Sequence, residues 1–511
     1  MQTQETGNER SGIIFKFLCV PASLRELFVF LFLIGTALRA DVSMPPIFGD
    51  YMVLQQGVTL PVWGTASPGE HVSVSVGGLS AETVADSSGK WRITLRPLPL
   101  SCDSLVMLVN GNNRLEFHDV IVGDVWICAG EANMACPLSN VPKGKESDEK
   151  IADEKLRFFQ YENPFDLDEI KNASKAASLK GRWFVCSPGS VSAFSAVGYF
   201  FARDIRSSHH LPIGMIQCTR EHSPIVSWIS RQGLAKTPSI SLYSSHEGRN
   251  SKTSACFNSL IHPIIPYSIT GIIWNQGESD EGDAALQYRR IFPRLIRDWR
   301  ERWGEGPLPF YFVSQAGYGD EQGPIVERYH AEDRNPGRAL PWIREGANCA
   351  LTLPSTGMAD ASDLGVADER ISPDKLDVGR RLALIARHRV YGEEIVDSGP
   401  IYRGMKVEKD KVTVVFDSVG GGLVLGGSPA TAENFSPTLI TSLRGFALAG
   451  IDHKWFPAQG RIEGKSVLLW SDAVAHPVAV RYGWKGFPGG SLYNKEGLPA
   501  APFRSDDDQP E

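Results

Sequence analysis

The feature that most limits how this chain can fold is a set of short, wholly apolar runs spaced between helix-like stretches. Val125-Trp126-Ile127-Cys128-Ala129 is the first, and Ile213-Gly214-Met215-Ile216, Gly271-Ile272-Ile273-Trp274 and Phe310-Tyr311-Phe312-Val313 follow. Runs without a polar face suit strands buried on both sides, as in a parallel sheet covered by helices. Residues 193–207, 283–303 and 373–391 supply the helical patterns. An α/β region with a parallel sheet flanked by helices is therefore expected over residues 123–395. In such sheets ligands bind beyond the carboxyl ends of the strands, so chemistry belongs in the segments that follow these runs.

The flanks have a different texture. Over residues 41–122, Val72, Val74 and Val76 alternate with polar neighbours, as do Trp91, Ile93 and Leu95. Turn signals at Ser67-Pro68-Gly69, Gly77-Gly78 and Ser88-Gly89 separate them, which predicts an N-terminal antiparallel β-sandwich. Over residues 396–505 the alternation returns at Val412, Val414 and Phe416, and at Val478, Val480 and Tyr482, so a second β-rich region is expected. Residues 506–511 form an acidic tail. Within residues 1–40, the apolar run Leu27–Leu38 follows Lys16 and Arg25 and ends near the small residue Ala40. That is the pattern of a signal peptide, with export to the periplasm or the extracellular space as its consequence and an uncleaved anchor as the alternative. No other segment suggests a membrane span. A net charge of −7 argues against a nucleic-acid partner. Neither a zinc-type cysteine or histidine spacing nor a phosphate loop is present, and no metal or cofactor is expected. Cys19 would leave with the signal, so seven of the eight cysteines remain, an odd number with no evident pairing.

Four segments stand at strand ends or open the last helix: Val122–Leu138, Pro212–Trp228, Gly271–Asp280 and Thr356–Arg380. In this order they resemble the sialate O-acetylesterase family, whose catalytic domain is of the SGNH-hydrolase type. The similarity extends to Val62-Trp63-Gly64, to Phe194–Phe200, to Leu295–Arg300 and to Leu492–Pro499. The resemblance implies ester hydrolysis on O-acetylated sialic acid or another acetylated glycan. A serine attacks the acetyl carbonyl, a histidine moves the proton, and nearby donors stabilise the oxyanion.

The chain departs from that pattern where the chemistry sits. The family's G-Q-S-N-M reads Gly130-Glu131-Ala132-Asn133-Met134, so the nucleophile position holds a methyl group. An ionised Glu131 would oppose an oxyanion. The family's W-G-G-T-P-I corresponds to Arg220-Glu221-His222-Ser223-Pro224-Ile225, and Glu221 and His222 are expected to crowd the approach that paired glycines leave open. The D-I-H-P turn reads Arg370-Ile371-Ser372-Pro373, which puts Ser372 at the base position, with Asp368 and Glu369 as nearby acids. Serine has no group that titrates near neutrality. Only W-x-Q-G-E-S is intact, as Trp274, Gln276, Gly277, Glu278 and Ser279. By analogy Gln276 could donate to the oxyanion, and this strand end could shape a sugar pocket. The resulting expectation is an exported family member that has lost catalysis and keeps a glycan-binding pocket. The alternatives are an active esterase with a rearranged site, using Ser223 and His222, and a non-catalytic interaction protein of the cell envelope.

Overall fold

A computed structural model describes residues 41–141, 151–162, 180–237, 253–320, 326, 330, 335–426 and 441–507. The apolar run assigned to export and the last residues of the acidic tail lie outside the described residues.

The chain enters through β1 (Val53–Gln55), β2 (Leu60–Thr65), β3 (His71–Val76), β4 (Leu79–Val84), β5 (Lys90–Leu95), β6 (Ser101–Asn110) and β7 (Arg114–Gly130). Strand β3 pairs antiparallel with β4 and β6, β6 pairs with β7, and β2 pairs with β5. The inward residues Val72, Val74 and Val76 of β3 share one core with Trp91, Ile93 and Leu95 of β5, so the alternating pattern produces two facing layers.

Strand β7 does not stop at residue 122. Its first half alternates between exposed and partly buried residues, and its second half, from Val120, is buried throughout. One continuous strand therefore belongs to both regions, and the change of texture at 122–123 is a change of surroundings along it.

The second half of β7 lies inside a parallel sheet. With β8 (Asp153–Tyr161), β9 (Gly181–Cys186), β10 (Ile213–Thr219), β11 (Gly271–Asn275), β12 (Phe310–Ser314) and β13 (Thr356–Asp360), the order is β13-β12-β11-β7-β10-β8-β9. All of these pairs are parallel except β8–β9. The chain completes β8, β9 and β10 on one side of β7 and then crosses to build β11, β12 and β13 on the other. Strand β7 is thus the point where the strand order reverses, which is where open α/β sheets place their sites.

Helices cover both faces. They are α1 (Ala132–Ala135), α2 (Ala196–His209), α3 (Asp283–Trp303), α4 (Pro336–Ala350) and α5 (Lys375–Arg389). Trp126 and Cys128 of β7 pack with Phe200 of α2 and Leu382 of α5. Ile127 and Ala129, one residue out of phase, belong to the core that holds Ile291 of α3 and Ile343 of α4. This period of two explains why the strand reads as wholly apolar. Helix α4 has no counterpart in the helical patterns of the sequence, because Gly337, Pro341 and Gly346 interrupt it and most of its residues are buried, so no polar face marks its period.

In the C-terminal region, strands Ile401–Glu408, Lys411–Asp417, Ser466–Trp470 and Gln459–Glu463 form one antiparallel sheet. Strands Trp455–Pro457, Phe446–Ala449, Ala479–Tyr482 and Phe503–Arg504 form another. Val412, Val414 and Phe416 share a core with Leu448 and Val480 across the two sheets. The alternation at Val478 does not hold: Val478 is exposed and Ala479–Tyr482 are buried on both faces.

Candidate functional site at the end of strand β7

The strand registers align the ends of β7, β10 and β11: Gly130 lies beside Thr219 on one side and Asn275 on the other. Gly130 has φ 140°, and a Cβ there would stand 2.0 Å from the Asn275 carbonyl oxygen. Only glycine lets β7 turn so close to β11. The turn delivers Glu131 and α1 to the top of the sheet, and Ala132 is the first residue of α1, partly accessible and ending in a methyl group.

Glu131 is buried, and its side chain turns into the surrounding loops. One carboxylate oxygen accepts from the Ser223 N–H (3.2 Å) and the Ser279 hydroxyl, the other from the Ser279 N–H (3.1 Å) and Gln276 Nε2 (3.4 Å). Burial, followed by the Glu278 and Asp280 carboxylates, holds Glu131 well above the ordinary carboxylate range. An ionised Glu131 would oppose an oxyanion; desolvation and the two acidic neighbours raise its pKa, while the Ser279 hydroxyl and N–H act the other way.

The segment after β10 keeps a glycine-like backbone without its glycines. His222 has φ 53°, in the left-handed region. The side chains of Glu221 and His222 are exposed, whereas Ser223 is buried. The Ser223 hydroxyl donates to the Arg220 carbonyl (2.6 Å) and accepts from Trp228 Nε1 (3.1 Å). Ser223 and His222 are therefore no nucleophile–base pair: the hydroxyl is engaged inside the loop while the imidazole stands in solvent.

Gln276 is buried as well. Its Nε2 donates to Asp280 (2.5 Å) and to the Ser223 carbonyl (3.2 Å), and its Oε1 accepts from Tyr288 (2.9 Å). These bonds lock the loop after β11 to its neighbours and leave Gln276 no role as an oxyanion donor. Trp274 is likewise not a pocket residue. It lies in the core against Trp228, Trp299 and Phe292, because its position on β11 points to the α3 side of the sheet. Gly277, at φ 135°, faces Ile343 of α4, whose Cγ2 would be 2.7 Å from a Cβ.

Asn133 joins three segments at once. Its N–H (2.8 Å) and Nδ2 (2.6 Å) both donate to one oxygen of Glu278, while its Oδ1 accepts from the Ser372 N–H (3.1 Å) and from Lys375 Nζ. Positions 132 and 372 are thus brought together, as the family resemblance implies. Ser372 is buried and its hydroxyl donates to the Leu364 carbonyl (2.7 Å). Asp368 and Glu369 lie exposed on a turn before Arg370. Arg370 itself donates to the Glu278 carbonyl and to Glu281.

Sequence reasoning missed Lys375. It is the first residue of α5, only 1% exposed, and burial pushes its pKa down to about 8. A signal was available: a cation at a helix N-terminus opposes the helix dipole and must be held there by something else. Cys136, half-buried one turn after Ala132, keeps its proton because burial pushes its thiol up.

Beside this network the ends of β11 and β12 and the start of α4 border a small, shallow depression. Glu278 and Arg370 line one side, and Ala316, Pro336, Ala339 and Leu340 supply an apolar wall. Arg344 of α4 holds that wall, donating to the carbonyls of Gln315, Ala316, Lys485 and Gly486 at 2.7–2.9 Å.

Comparison with known proteins agrees with this architecture. Residues 122–383 match the family model described as a carbohydrate esterase, sialic acid-specific acetylesterase. The chain is 27% identical to human sialate O-acetylesterase over 503 residues, covering 89% of this chain and 91% of that protein. It is 25% identical to the mouse sialate O-acetylesterase, covering 89% and 92%. A solved structure of a carbohydrate acetylesterase from Xanthomonas citri superposes with a TM-score of 0.78 at 33% identity, covering 91% of this chain and all of that one. The chain belongs to the sialic acid-specific acetylesterase family of carbohydrate esterases.

Proposed function

We propose that this protein is an exported member of the family that binds an acetylated glycan, such as O-acetylated sialic acid, and does not hydrolyse it. The observation that carries the reading is the pair of positions 132 and 372. At the point where the strand order reverses stands the methyl of Ala132, and the Ser372 hydroxyl beside it is hydrogen-bonded to Leu364. Acyl transfer needs a nucleophile and a group to take its proton, and neither position supplies one. Around them Glu131, Asn133, Gln276 and Glu278 tie the strand ends together by hydrogen bonds, and a small depression lined by Glu278 and Arg370 opens next to them. Export rests on the apolar run Leu27–Leu38 behind Lys16 and Arg25.

Two measurements on the chain from Asp41 onward test this. A fluorophosphonate probe, which needs an activated serine, leaves the protein unlabelled, and labelling at Ser223 would restore the reading of a rearranged esterase. A glycan array that includes 9-O-acetylated sialosides shows binding, and an array without any bound glycan argues for an interaction protein whose β regions do the work.

A further inference from the structure

We propose that residues 502–506 are a strap that fastens helix α4 and Val326 to the C-terminal sheet, with the Asp506 carboxylate as its latch. Releasing the latch frees both while the parallel sheet stays folded. Read from sequence, residues 506–511 are an acidic tail, and such runs are ordinarily solvated. The fold instead turns Asp506 inward.

Asp506 holds two arginines at once. Its Oδ2 accepts from Arg481 Nε and its Oδ1 from Arg481 Nη2, both at 2.8 Å, and Oδ1 also accepts from Arg504 Nη1 (3.3 Å). All three side chains are almost wholly shielded from solvent. The arginines stand among indole rings. The Arg481 guanidinium lies 4.1 Å from the centre of the Trp455 ring, and that of Arg504 lies 4.5 Å from Trp342. Trp484 is shared, at 5.6 Å from Arg481 and 5.4 Å from Arg504. Aromatic faces attract a guanidinium, but a buried cation still needs a counter-ion. Asp506 supplies it. Burial pushes its pKa up, yet the hydrogen bonds and charge of Arg481, with the charge of Arg504, outweigh burial and hold it below the ordinary carboxylate range.

The same two arginines reach the elements beside the strand-end site. Arg481 Nη1 donates to the Val326 carbonyl (2.8 Å), and the Val326 N–H donates to the Trp484 carbonyl (3.1 Å). Val326, between β12 and α4 in the chain, is thus held through both of its backbone groups. Arg504 Nε donates to Glu345 of α4 (2.7 Å), and Asn348 of the same helix donates to the Pro502 carbonyl (2.8 Å). The strap is itself tied to the sheet. Phe503 and Arg504 pair with Tyr482 and Arg481, and Ser505 exchanges two hydrogen bonds with the Val480 backbone.

Removing one partner of a buried ion pair leaves an uncompensated charge, which costs far more than exchanging both partners. Without the Asp506 charge, two guanidinium groups are left in that position. The least costly relief is local: the strap lifts, the arginines turn toward water, and Val326 and α4 lose their anchors.

The test is hydrogen exchange read by mass spectrometry on the chain from Asp41 onward. In Asp506→Asn, peptides carrying Val326 and residues 345–350 of α4 are expected to exchange about tenfold faster or more, while those of β7, β10 and β11 keep their protection. Glu345→Gln removes the Arg504 partner on α4 and leaves the Asp506–Arg481 pair, so it loosens α4 and leaves Val326 unchanged. Arg481→Lys keeps a cation near Asp506 but cannot hold both of its oxygens and the Val326 carbonyl together, so it loosens Val326. Should Asp506→Asn fail to fold, Arg481→Lys decides. Unchanged protection at Val326 in whichever variant decides would overturn the proposal. So would equal loosening of β7, β10 and β11, which would make Asp506 a part of the global fold and no latch. Loosening of Val326 in Glu345→Gln as large as in Asp506→Asn would make α4 its anchor and overturn the proposal as well.

Discussion

At the scale of single residues, the proposal that this chain does not hydrolyse esters turns on positions 132 and 372. Replacing Ala132 with serine would restore a hydroxyl but no base, since Ser372 is engaged with Leu364. Loss of a catalytic serine or histidine in a serine hydrolase costs about 10⁶ in kcat, and either loss alone is nearly as severe as both. The Ala132→Ser variant is therefore expected to release no acetate above buffer. Fluorophosphonate labelling of Ala132→Ser with a half-maximal rate near pH 8 would instead identify Lys375 as a base within reach. Two buried groups make stability depend on pH. Glu131 binds its proton more tightly folded than unfolded, so stability falls as pH rises from its unfolded value near 4.5 toward its higher folded value. The Glu131→Gln variant, which carries the family residue, should lose that downward slope in urea titrations between pH 4 and 8. Lys375 behaves in the opposite sense. Its folded pKa of about 8 lies below the unfolded value of 10.5, so stability rises with pH between those values and the rise disappears in Lys375→Met. The carboxylate and the lysine were both present in the sequence, but their burial was not legible there, and burial sets both shifts.

At the scale of elements, strand ends and loop clamps define the site. The apolar runs at β7, β10, β11 and β12 could be read directly, because the central residues of strands buried on both faces are apolar and the polar ones, such as Gln217, Asn275 and Ser314, fall toward the strand ends. Helix α3 was legible to the residue from its long amphipathic repeat despite Pro293, whereas α4, buried over most of its length and carrying Gly337, Pro341 and Gly346, shows no such repeat. Missing α4 meant missing the depression, since Pro336, Ala339 and Leu340 form its wall. The intact W-x-Q-G-E-S motif was legible as a motif, but its residues serve three ends. Trp274 packs, Gln276 holds loops and Glu278 lines the depression. Truncating Trp274 to alanine should cost about 3–5 kcal/mol, as for other buried aromatics, and Trp274→Phe should keep glycan binding with a smaller loss. A chemical-denaturation series paired with binding checks both. Arg344→Met is expected to destabilise the protein by roughly 3 kcal/mol, because four loop carbonyls lose a charged donor.

At the scale of the whole molecule, the regions that look separable in sequence share structural members. Strand β7 runs from the N-terminal β layers into the centre of the parallel sheet. Arg344 ties the β11–β12 side of the site to Lys485 and Gly486 of the C-terminal region, and Arg504 pairs with Glu345 of α4 (2.7 Å). A chain ending at residue 395 should therefore lose the cooperative unfolding of the full chain in calorimetry, not merely shed an independent module. Among the described residues no helix is long and apolar enough to cross a membrane. Family membership was legible because matching segments spread along most of the chain, whereas the fate of the activity turns on single atoms that similarity at 25–33% identity does not register. The most direct measurement is acetate release from 9-O-acetylated sialic acid and from an aryl acetate by the purified chain from Asp41 onward. The account predicts rates equal to buffer at every pH from 5 to 9. Turnover well above buffer that is abolished by changing one pocket residue would contradict it.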